Sequence, residues 1–148
     1  MGTLLVVLQF ALLLALALFA LPPIRAGGLG SIPVAAYGLA AASVALGLWT
    51  LAHNRLGNFN IHPAPKAGGV LVTTGPYGWI RHPMYTSVLL GAAALAWTSR
   101  PIAAWAAWSA LAVVLYLKSR LEEGWMHKHH GGYDAYAQGT KRFVPWLL

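Results

Sequence analysis

Apolar residues along this chain come in unbroken blocks rather than in a one-sided helical stripe or a strand-like alternation. Residues 3–21 hold no charged side chain, close to the roughly 20 residues needed to cross the hydrocarbon of a bilayer. That block predicts a membrane-spanning helix. No basic n-region precedes it and Leu21-Pro22-Pro23 is a poor cleavage site, so the helix is expected to be retained rather than removed as a signal peptide. A second block, 32–52, predicts another span, in which Gly38, Ser43 and Gly47 allow close helix packing in lipid. A polar stretch from His53 to His82 follows and carries three prolines and five glycines. Residues 83–98 and 101–117 then form two shorter apolar runs, each opening on a proline suited to a first helical turn. Only Ser99-Arg100 separates them, which implies an antiparallel hairpin. Both runs are short for a full crossing, a mismatch that local bilayer thinning accommodates. Residues 118–148 form a basic tail, helical at first and irregular at Gly131-Gly132. The expected fold is an all-α integral membrane domain of about four transmembrane helices, a single unit over 1–148.

Composition agrees with lipid as the solvent. The chain is 58% hydrophobic and only 9% charged, against about 25% charged in a typical soluble domain. Its 10 basic and 3 acidic residues give a net charge of +7. In a soluble protein that balance would point to nucleic acid. Here the charges sit between apolar blocks, so anionic membrane lipids are the expected partner and nucleic acid is not. With four spans, Arg55, Lys66, Arg81, Lys118, Arg120, Lys128, Lys141 and Arg142 share one side and only Arg25 and Arg100 the other. Eight against two is a positive-inside signal, placing both termini, the 53–82 loop and the tail in the cytoplasm. The absence of cysteine rules out disulfides, thiolate metal sites, cysteine nucleophiles and palmitoylation.

Candidate chemistry gathers on that side. Gly75-Pro-Tyr-Gly-Trp-Ile-Arg-His-Pro-Met-Tyr85 leads into the third apolar run, and Arg120-Leu-Glu-Glu123 follows the fourth. A hairpin brings the two clusters side by side at one membrane edge. Each also has a plain reading: aromatic and arginine anchors at the interface for the first, a solvated helix end for the second. A carboxylate pair next to lipid is nonetheless costly unless it meets a cation. His127, His129 and His130 lack partners of metal-site spacing, so no metal is expected. No dinucleotide fingerprint, phosphate loop or serine elbow occurs.

The stretch Gly69-Val-Leu-Val-Thr-Thr-Gly-Pro-Tyr-Gly-Trp-Ile-Arg-His-Pro-Met-Tyr85 resembles the signature of isoprenylcysteine carboxyl methyltransferases and related phospholipid methyltransferases. Downstream, Glu122-Glu123, Tyr133-Asp-Ala-Tyr136 and Lys141-Arg-Phe-Val-Pro145 are similar to the family's paired glutamates, Tyr-x-x-Tyr and terminal Arg-x-x-Pro, and Asn58-Phe59-Asn60 upstream is also similar. The likeness covers about residues 53–148, leaving 1–52 as two scaffold helices. It departs from the family at His130-Gly131, where Phe-Gly is usual.

This resemblance implies transfer of a methyl group from S-adenosylmethionine to a lipophilic small molecule or lipid at the cytoplasmic membrane face. It implies cofactor contacts from Gly69, Val70, Leu71 and Val72, from Tyr77, from His82, Pro83, Met84 and Tyr85, and from Glu122, with His62 a further candidate across a gap. Arg120, or Lys118 if the register slips, corresponds to a basic residue near the acceptor. Glu123 would serve as a base where the acceptor must lose a proton. An isoprenoid carboxylate, a phospholipid amine and a small thiol all fit as acceptors. Two other readings compete: a sterol-type membrane reductase, whose NADPH phosphate Arg81, Lys141 and Arg142 would meet, and a non-catalytic membrane scaffold.

Overall fold

A computed structural model of the protein describes residues 2–54, 70–99 and 101–147. Among the described residues there are five α-helices: α1 (Gly2–Gly27), α2 (Val34–His53), α3 (Pro83–Thr98), α4 (Ile102–His129) and α5 (Tyr133–Gly139). There is no strand among the described residues, only an isolated parallel bridge between Ile80 and Lys141. By length and composition α1, α2 and α4 can each cross a membrane. Helix α3 has 16 residues and is about 24 Å long at 1.5 Å per residue, against a hydrocarbon core of about 30 Å. Among the described residues three helices are thus candidate spans, where about four were expected.

One helix boundary differs from the sequence expectation, and another bears it out. Helix α1 does not stop at Leu21 but continues through Pro22 and Pro23 to Gly27. Helix α4 passes the end of the apolar run at Leu117 and runs 28 residues in one piece to His129, so the tail is helical at first, as expected, and breaks into a turn at Gly131-Gly132. The charged second half of α4 stays helical because Lys118, Glu122 and Glu123 all find partners within the protein.

Helix α3 sits at the centre. It packs on α2 on one side and on α1 and α4 on the other. Against α2 the contact is made by small residues. Ser43 and Ser87 each donate a side-chain hydrogen bond to the other's backbone carbonyl, at 2.8 and 2.9 Å. Gly91 lies so close to Ser43 that an added Cβ would stand 2.9 Å from its Oγ. Such close approach is how helices associate where no hydrophobic effect drives them together. Against α1 and α4 the contact is apolar, with Leu16, Ala92, Ala96, Ala104, Leu111 and Leu115 forming the buried core. Trp108 of α4 donates its indole N–H to Leu89 O of α3 at 2.9 Å. The start of α3 therefore lies beside the end of α4, and the polar clusters of both emerge together.

Candidate active site

The site is assembled where three segments meet: the entry to α3, the last turns of α4 and the tail after α5. Residues 70–73 run without regular structure into a tight turn over Gly75–Gly78. Gly75 holds φ +60 with the His53 ring so near that a Cβ would stand 2.4 Å from it. Both the backbone and the space demand glycine there. Beyond the turn, the tail is laid along the entry to α3. Arg81 N–H donates to Lys141 O at 2.7 Å, His82 N–H to Arg142 O at 3.0 Å, and Lys141 N–H to Trp79 O at 3.1 Å. Thr86 Oγ1 adds a bond to Phe143 O at 2.8 Å, and Tyr136 Oη one to Tyr77 O at 2.7 Å.

His82 stands between the two glutamates. Its Nδ1 is 3.4 Å from Glu122 Oε2 and its Nε2 3.2 Å from Glu123 Oε1. Burial alone would lower the imidazole pKa, but the hydrogen bonds and charges of Glu122 and Glu123 outweigh it and the pKa is raised. The two carboxylates differ in company. Glu123 is buried and clamped: Arg81 Nε donates to Oε1 at 2.9 Å, Arg142 Nε to the same oxygen at 3.1 Å, and Arg142 Nη2 to Oε2. Arg81 is itself fixed by donating Nη1 to Ala137 O at 2.9 Å and to Thr140 O. Glu122 is only half-buried and accepts the Tyr85 hydroxyl. The Tyr85 ring stacks on His82, 5.4 Å between centroids and 4° from parallel. Burial, and then the charge of Glu122, push the Tyr77 phenol up to about 12, so Tyr77 remains a neutral hydroxyl at any physiological pH.

Of the residues singled out from the sequence, Tyr77, His82, Tyr85, Glu122 and Glu123 come together here. Pro83 is buried in the first turn of α3, with Met84 half-buried beside it. Val70 is exposed and Leu71 and Val72 are half-buried on the approach to the turn. Arg120 is exposed on α4, beside the Tyr116 hydroxyl and outside the Glu122–His82–Glu123 group. Lys118 is buried and faces Tyr85. His62 and Gly69 lie outside the described residues, as do Asn58, Phe59 and Asn60. Sequence reasoning overlooked the clamp of Arg81 and Arg142 on Glu123, and the inward-facing Gln9. A signal for Gln9 was available, since it is the one polar side chain after Thr3 in the 3–21 block.

The donor set suits a small zwitterionic cofactor. It offers a half-exposed carboxylate for an ammonium or for hydroxyl groups, and an aromatic ring at Tyr77 for a flat ring or a sulfonium. No curated protein matches the chain. Residues 34–132, well over half of the chain and inclusive of Tyr77, His82, Tyr85, Glu122 and Glu123, match the phospholipid methyltransferase family. With the His82–Glu122–Glu123 group and helices α2, α3 and α4 inside this match, the chain belongs to the phospholipid methyltransferase family, membrane methyltransferases of the isoprenylcysteine carboxyl methyltransferase type.

Proposed function

We propose that the protein transfers a methyl group from S-adenosylmethionine to a lipid acceptor at the cytoplasmic face of the membrane. The observation that carries this reading is the His82 imidazole held between Glu122 and Glu123 with Tyr85 stacked on it, on residues within the family match. S-adenosylmethionine, when bound, supplies an activated methyl on a sulfonium. The protein's part is alignment and exclusion of water. Glu122, the less committed carboxylate, takes the cofactor's ammonium or ribose hydroxyls. His82, with both ring nitrogens on the glutamates, and Tyr85, stacked on it, hold Glu122 in place, and Tyr77 offers an aromatic face. Val70, Leu71, Val72, Pro83 and Met84 line the approach, with Gly69 and His62 completing the set. Glu123 anchors the site rather than acting as a base, because proton abstraction would have to break its bonds to Arg81, Arg142 and His82. Exposed Arg120 serves the acceptor side.

The reductase reading loses two of its three cations: Arg81 and Arg142 are committed to Glu123, and of the set only Lys141 is exposed. Cytoplasmic placement is supported by the bias of basic residues toward the site end. The decisive experiment incubates membranes containing the protein with methyl-labelled S-adenosylmethionine and identifies the labelled lipid. Label should appear with the wild type and fall by about tenfold or more with Glu122→Ala, the loss of one charge-assisted contact. No labelled lipid, or an unaffected Glu122→Ala protein, overturns the proposal.

A further inference from the structure

Residues 2–33 precede the family match, which begins at residue 34, yet α1 reaches the site. The buried residues of α1 are Leu5, Gln9, Leu16 and Ala20, a spacing of one helical face turned inward. Gln9 is the polar member of that face, 8% exposed, and Lys118 on the facing side of α4 is 2% exposed. Lys118 Nζ donates to Gln9 Oε1 at 2.7 Å. A lysine in the last turns of a membrane helix ordinarily extends its ammonium out to the interface. Lys118 instead lies under the Tyr85 ring, 5.2 Å from its centroid. The hydroxyl of that ring bonds Glu122, its face stacks on His82, and Glu122 lies one helical turn after Lys118 on α4.

We infer that Gln9 and Lys118 form a relay from α1 that positions Tyr85 against Glu122, making the first helix part of the site rather than scaffold. Gln9 fixes where the ammonium sits; the ammonium attracts the π-face of Tyr85; and the ring so held delivers its hydroxyl to Glu122. Lys118 and Gln9 are positioning residues, acting on the cofactor site through the Tyr85 ring. The consequence for methyl-donor affinity rests on the function proposed above, whereas the relay itself does not.

Two readouts on purified protein in lipid nanodiscs keep these apart. The first follows the Tyr85 ring carbon by NMR in tyrosine-labelled protein without cofactor, assigned by its loss in Tyr85→Phe. Lys118→Met and Gln9→Leu should both move that signal, and Gln9→Glu, which keeps an acceptor oxygen, should restore it. Gln9→Leu removes an acceptor from a buried ammonium, so the comparison is read only in variants whose helical circular dichroism matches the wild type, with Gln9→Glu, which keeps the acceptor, as the control. The second readout is S-adenosylmethionine affinity. Lys118→Met should weaken it by about tenfold, the scale of a desolvated cation–π contact, and should add nothing in a Tyr85→Phe background. A Tyr85 signal unmoved by both substitutions overturns the relay, as do losses that add to that of Tyr85→Phe. A wild type that fails to bind S-adenosylmethionine while its Tyr85 signal responds as described supports the relay and overturns the donor assignment.

Discussion

At His82, burial and charge pull in opposite directions. Removing an imidazole from water disfavours its protonated form, while two carboxylates at 3.4 and 3.2 Å favour it. The carboxylates win, and the folded-state pKa lies above 6.5. A group whose pKa is raised on folding stabilises the fold fully below its unfolded pKa, and that contribution is lost as pH rises through the folded value. The His82 contribution is therefore complete below about pH 6.5 and disappears above the raised value. Thermal unfolding in detergent should show the wild type losing stability over that window relative to His82→Gln, with the gap between them narrowing as pH increases. A gap constant from pH 6 to 9 would show that folding leaves the His82 pKa unshifted, and a gap that widens with pH would show that it is lowered. The participants at this scale were legible in the sequence, because the order Arg81-His82-Pro83-Met84-Tyr85 and the pair Glu122-Glu123 can be named without coordinates. Their division of labour was not. Successive helical residues point about 100° apart, so which glutamate meets Tyr85 and which meets two arginines depends on where the tail lies.

The tail is held to the helices chiefly through one element contact, the strand-like pairing of residues 79–82 with 141–142, closed by Arg142 on Glu123. Arg142 also lies over the Tyr116 ring, 5.1 Å from its centroid. Truncating Arg142 removes its hydrogen bonds to a carboxylate that is 10% exposed, and hydrogen bonds to charged groups contribute about 1.5–3 kcal/mol. Arg81 and His82 still compensate Glu123, so Arg142→Ala should cost about 2 kcal/mol rather than the larger penalty of an uncompensated buried charge. Arg120→Ala, at an exposed position on α4, should change stability by less than about 0.5 kcal/mol. Denaturant unfolding followed by helical circular dichroism measures both, and equal costs would mean that the clamp does not hold the tail. The start of α3 was readable from Pro83 and its end from the polar Ser99. The end of α1 was not, because hydropathy marks where apolar residues stop, not where a helix stops; the break after α4 was readable from Gly131-Gly132. Helix α4 carries its charges onward because the partners of Lys118, Glu122 and Glu123 come from α1, α3 and the tail, which no local pattern reveals.

For the whole molecule, the question is whether the short α3 crosses the membrane together with the three long helices. Packing argues that it does. His82 at the start of α3 meets Glu122 near the end of α4, and Leu89, two turns further on, meets Trp108, so the two helices run antiparallel side by side. Helix α3 is also flanked by α1, α2 and α4, and a helix so enclosed presents little of its length mismatch to lipid. The turn between α3 and α4 should then lie on the same side as the α1–α2 connection, with α5 and the tail opposite. The absence of cysteine makes this testable with single substitutions and a membrane-impermeant maleimide. Gly30 and Gly131 each have open space around an added Cβ, and Ile102 is 83% exposed at the start of α4. In intact bacterial cells Gly30→Cys and Ile102→Cys should label from outside, and Gly131→Cys only after the membrane is permeabilised. Labelling of Ile102→Cys with the same permeabilisation requirement as Gly131→Cys would mean that α3 turns back without crossing. Labelling of Gly131→Cys in intact cells would invert the whole chain and place the site outside. That result would remove it from the cytoplasmic supply of S-adenosylmethionine, and with it the basis for methyl transfer from that donor.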